Sequence, residues 1–135
     1  MSGMETRRWT NPHQPQTLQV AVFLLYASAV LEVIFPGGVY AGLANRVPVG
    51  AILWFACIAA LAAGAFGIAN EKRWGYNLAV GVTGLGVIEL VLVLGTEGIG
   101  EIFSPTFWLY ALFPVARFAL LVHPQSREHQ RVWFS

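Results

Sequence analysis

The chain has 135 residues, 56% of them hydrophobic and only 11% charged, against about 25% charged in an ordinary soluble domain. A net charge of +1 with no basic stripe excludes a nucleic-acid surface, and a mean hydropathy of +0.61 points to a membrane protein. The length allows a single domain, 1–135, and the lone cysteine, Cys57, permits no intrachain disulfide.

A spanning helix needs about 20 mostly apolar residues. After a polar tail, 1–17, the first such segment covers about 18–35, "LQVAVFLLYASAVLEVIF". A cleavable signal peptide is the rival reading, because Arg7 and Arg8 precede an apolar run and Ala27-Ser28-Ala29 has a small-x-small pattern. The apolar run before that site is short, so an uncleaved helix is expected.

The turn-forming stretch "PGGVYAGLANR" follows. The second segment, 47–69, carries no charge. It has two rows of small residues at four-residue spacing, Ala56, Ala60, Gly64 and Ala59, Ala63, Gly67. Such rows let helix backbones approach closely in lipid. The loop "NEKRWG" leads to the third segment, 76–95, and "GTEGIGEIFSP" leads to the fourth, 106–122, which contains Pro114 and Arg117. The C-terminal tail, 123–135, ends in Trp133 and Phe134 beside Arg127 and Arg131. It suits a membrane interface or a docked partner equally. The expected fold is an all-α membrane protein, an antiparallel bundle of four transmembrane helices.

The cations set an orientation. Arg7, Arg8, Lys72, Arg73, Arg127 and Arg131 fall on one side if the helices alternate, and only Arg46 lies on the other, with Glu97 and Glu101. The bias predicts cytoplasmic termini. Trp74 and Tyr76 then mark the inner interface, and Tyr40 and Trp108 the outer one. Arginine predominates over lysine and aspartate is absent, a usage typical of GC-rich bacterial genomes. A bacterial inner membrane is the expected location.

Glu32 and Glu89 interrupt apolar runs. At 1.5 Å per residue they lie roughly 21 Å and 20 Å along helices that run the same way, hence at one depth. Diagonal helices in the bundle allow the two carboxyls to face each other. Desolvation and mutual repulsion favour protonated forms, so the pair is expected to share a proton or hold a cation, with Glu97 and Glu101 as an acidic mouth. The structural alternative is interhelical hydrogen bonding by protonated carboxyls. Intramembrane carboxylates are functional candidates by default.

Arg117 lies about 8 Å of helix from the inner end of its segment. Pro114 deprives the Tyr110 carbonyl of its usual donor, and Tyr110 shares the face of Arg117. A structural contact with that carbonyl, or one with an anionic lipid headgroup, is expected ahead of a pair with Glu89. His13, His123 and His129 match no metal spacing. No Ser/His/Asp or Cys/His set can be assembled at one depth, so neither an enzyme nor a metal or cofactor site is expected.

The stretch "RWTNPHQPQTLQVAVFLLYASAVLEVI" followed by "NEKRWGYNLAV" resembles small bacterial four-helix integral membrane proteins, and in size and span count the chain is similar to the DoxX-like membrane proteins. The resemblance implies fold and location, names no substrate and carries over no site residues. Two functions follow as expectations. One is a small accessory or scaffold subunit in the bilayer, packed against a larger membrane complex; separately, the small-residue rows of the second segment would allow two copies to pair as a homo-oligomer. The alternative is a proton- or cation-coupled transporter or channel using Glu32 and Glu89.

Overall fold

A computed structural model describes residues 10–35 and 39–135, apart from the side chains of Val39 and Tyr110. Arg7 and Arg8 lie outside the described residues. Every regular element within them is helical: α1 (Gln16–Ile34), α2 (Val39–Ala44), α3 (Gly50–Ala69), α4 (Arg73–Glu97), a 3-10 turn (Ile99–Phe103), α5 (Pro105–Val122) and α6 (Pro124–Trp133). Helices α1, α3 and α4 are long and apolar enough to cross a membrane. The apolar segments of the sequence therefore became helices, with ends shifted by a few residues. Two further helices, α2 and α6, formed where a turn and a tail were expected.

Local chemistry sets the ends. Ser104 precedes α5, with Pro105 in the first turn, where a missing N–H costs nothing. Proline also opens α6, and the His123 ring accepts from the Gln125 N–H at 3.2 Å. Helix α4 stops at Gly98, whose φ of +101° is open to glycine at no steric cost. Glu71 takes φ +57° in the tight α3–α4 turn.

Helix α1 packs against α3 and α5, and α4 packs against the same two, so α1 and α4 occupy opposite corners. The core between them is formed by Leu18, Val22, Leu25, Leu61, Ile68 and Leu121, with Ala21, Ala65 and Ala79 filling narrow places. The α3–α4 seam is closest at its turn end. A Cβ on Gly67 would stand 2.6 Å from the Gly75 Cα, so only glycine fits there. The outer ends of the small-residue rows do not share this role, since Ala56 and Ala59 are exposed.

Residues 11–14 and the C-terminal residues 134–135 clasp the α3–α4 turn. Asn11 and Gln14 donate side-chain N–H groups to the carbonyls of Ala69 and Ile68, at 3.1 and 2.5 Å, satisfying acceptors that the end of a helix leaves open. From the other terminus, the Ser135 N–H donates to the Glu71 carbonyl at 3.0 Å, and the Arg73 N–H donates to the Ser135 carbonyl at 2.8 Å. Phe134 is buried edge-on against Tyr76. Ser126 is buried between Thr17 and the Leu120 carbonyl. The tail thus docks on its own chain. Residues 10–15, 70–73 and 123–135 share one end of the molecule.

Candidate functional site: a polar core closed by α2

Four of the buried polar residues, Ser28, Glu32, Glu89 and Arg117, gather around the short helix α2. Its sequence, "VYAGLA", is apolar enough to be drawn inward. It packs against α3, α4 and α5, and Tyr40 is 1% exposed. Tyr40 does not mark an outer interface, because its phenol finds polar partners inside. The hydroxyl donates to the Val82 carbonyl at 2.7 Å and accepts from Arg117 Nη2 at 3.0 Å. The Arg117 guanidinium also lies over the Tyr40 ring, 5.1 Å from its centroid, a cation–π contact. Burial pushes the Tyr40 phenol up to about 12 against the opposing pull of Arg117, so the group stays a hydroxyl.

Arg117 is 3% exposed. Its Nη1 donates to Ser28 Oγ at 2.7 Å, and its Nε finds no acceptor among the described residues. The lean of a helical side chain toward the N-terminus carries the guanidinium into the buried interior and not to a lipid headgroup. The expected acceptor, the Tyr110 main-chain carbonyl, is not among the partners described for Arg117, whose hydrogen bonds go to Ser28 and Tyr40. A pair with Glu89 does not form, because Glu89 is held elsewhere.

Glu32 and Glu89 are both buried, but each is bound by other groups and not by the other carboxyl. Glu89 takes a two-point ion pair from Arg46, Nε to Oε2 at 2.8 Å and Nη2 to Oε1 at 3.1 Å. Both oxygens accept, which is the geometry of a carboxylate and a guanidinium fork. The expected shared proton gives way to a cation supplied by the chain. Glu32 Oε1 accepts from Trp54 Nε1 at 3.1 Å and from the Ala41 N–H at 3.2 Å. Cys57, 3% exposed, lies within electrostatic reach of Tyr40 and Glu32.

Sequence reasoning did not place Arg46, Tyr40 or Trp54 among the partners of the buried charges. The signal for Arg46 was its isolation as the single cation of its side. The signal for Tyr40 was a six-residue apolar stretch inside a glycine-rich connection. Nothing local marks Trp54, which meets Glu32 only through the packing of α1 on α3. The four charged groups, Glu32, Glu89, Arg46 and Arg117, sum to zero. Beside α2 an open groove of about 560 Å³ is lined by Ala41, Ala44, Asn45, Val47, Gly50, Ala51 and Trp54. Among the described residues no three His, Cys, Asp or Glu side chains gather as a metal-ligand set.

Comparison with protein-family models, with curated proteins and with solved structures gives no match.

Proposed function

We propose that the chain is an integral protein of a bacterial inner membrane, an antiparallel four-helix bundle of α1, α3, α4 and α5. In this reading it serves as a small accessory or scaffold subunit of a larger membrane complex. The observation that carries the reading is the state of the buried carboxylates. Glu89 is neutralised by Arg46, and Glu32 is held by Trp54 and a backbone N–H. A carboxylate committed to donors within its own chain serves to specify helix packing. The broad apolar outer surface, with Phe23, Ile52, Phe55 and Leu109 exposed, suits lipid and a partner's helices.

Orientation follows from the clustering of Lys72, Arg73, Arg127 and Arg131 at the end where the tails meet the α3–α4 turn. By the positive-inside rule that end faces the cytoplasm. The test is affinity purification from the native membrane in a gentle detergent, read by native mass. A stoichiometric larger partner supports the subunit role. A clean monomer or homo-oligomer overturns it and turns attention to ion flux with Glu32→Gln and Glu89→Gln.

A further inference from the structure

We infer that α2 is a removable plug over the polar interior, latched by the Arg46–Glu89 ion pair, and that its withdrawal opens Cys57, Glu32 and Arg117 to solvent. Four observations converge on this. A helix of six residues is far below the roughly 12–15 that hold an isolated helix together, so α2 persists through what it touches. Its polar tethers run from the Ala41 N–H to Glu32, from Tyr40 to Val82 and Arg117, and, just beyond its end, from Arg46 to Glu89. One flank of α2 borders the open groove against the first turns of α3, which gives it room to move. The latch can be reached from outside, since the Arg46 side chain is 33% exposed while that of Glu89 is 2% exposed.

The groups beneath α2 differ from those of an inert core. Arg117 is held only by two hydroxyls and an aromatic face, with its Nε unpartnered among the described residues. Closed, the four charges cancel. Open, Arg46 leaves with the plug and one negative charge remains in excess, so the ion pair favours the closed state.

Cys57 is the single thiol of the chain, and it reports on the plug directly. The experiment measures its alkylation by a sulfonated, membrane-impermeant maleimide in the full-length chain held in lipid nanodiscs. When closing outpaces alkylation, the rate follows the population of the open form. The native chain is expected to react slowly. Glu89→Gln keeps the shape and removes the latch, and it should accelerate labelling by about ten- to a hundredfold. A second probe separates plug movement from general loosening: Ala65→Cys in a Cys57→Ser background, at a site deep in α3 with no exposure. The plug predicts that Glu89→Gln accelerates labelling at position 57 and leaves position 65 protected. Unchanged labelling at 57, or an equal rise at both positions, overturns it.

Discussion

Arg46 and Glu89, 43 residues apart, meet in a two-point ion pair whose longer arm is 3.1 Å, with the carboxylate side chain 2% exposed. The pair ties the α2–α3 connection to the middle of α4. Breaking a buried pair by deleting one partner strands the other charge, while partial exposure of Arg46 weakens the effect through solvent screening. A double-mutant cycle with Arg46→Met and Glu89→Leu, read by thermal unfolding in detergent, should return a coupling of about 1–3 kcal/mol. Additive single effects would show that the two side chains do not depend on one another.

Arg117 bridges Ser28 and Tyr40 through two different nitrogens. Lysine keeps the charge but offers a single ammonium in place of the planar fork. Arg117→Lys is therefore expected to destabilise the fold by about 1–2 kcal/mol. A melting temperature equal to that of the native chain would contradict the assigned role of the fork.

The Tyr40 hydroxyl joins Arg117 to the Val82 carbonyl. Tyr40→Phe leaves a buried guanidinium donor unsatisfied, while the Val82 carbonyl keeps its helical N–H partner, at a cost of about 1–3 kcal/mol. The ring contact with Arg117 survives the change. Tyr40→Leu, which loses both, should therefore be the less stable variant. The two melting temperatures, compared under one detergent, give the order.

Phe134 is 4% exposed against Tyr76, and Ser135 exchanges two backbone hydrogen bonds with Glu71 and Arg73. Phe134→Ala should loosen this clasp by about 3 kcal/mol. Amide hydrogen exchange is then expected to accelerate at Glu71, Arg73 and Ser135 and to stay unchanged in the middle of α1. Unaltered exchange at the turn would show that the C-terminal residues do not brace it.

Gly67 faces Gly75 with no space for a Cβ. Gly67→Ala pushes two backbones apart and is expected to cost about 1–3 kcal/mol, although alanine is the better helix former by up to about 1 kcal/mol. The reverse sign in a thermal melt would mean that the α3–α4 seam gives way more easily than its spacing suggests. Ala59→Gly, on an exposed part of the same helix, supplies the comparison.

The long helices were legible because each is a sustained apolar run of nearly uniform character, and a backbone that must satisfy its own hydrogen bonds in such a run has little choice but to coil. The buried positions of Glu32, Glu89 and Arg117 were legible for the same reason, since a charge inside a long apolar helix is carried inward with it. Helix α6 was harder to see, because "PQSREHQRVW" is polar on most of its surface and its burial depends on Ser126 and on the Phe134 that follows it. Helix α2 was harder still. Six residues carry too little periodicity to distinguish a turn from a helix.

Sequence alone, then, determined the helical class, the approximate bounds of the long helices and which charges enter the interior. These properties rest on local hydrophobicity and on the backbone's own hydrogen bonds. Which charge meets which was decided only by tertiary structure. Arg46 reaches Glu89 and Arg117 reaches Tyr40 because α2 folds into the space between α3, α4 and α5, whereas Trp54 reaches Glu32 and Arg117 reaches Ser28 through the packing of α1 on α3 and α5. Partners separated in sequence by 43, 22, 89 and 77 residues leave no local trace of one another. In a low-dielectric interior a buried charge is strongly driven to find a donor or an opposite charge, and packing alone determines which one lies within reach.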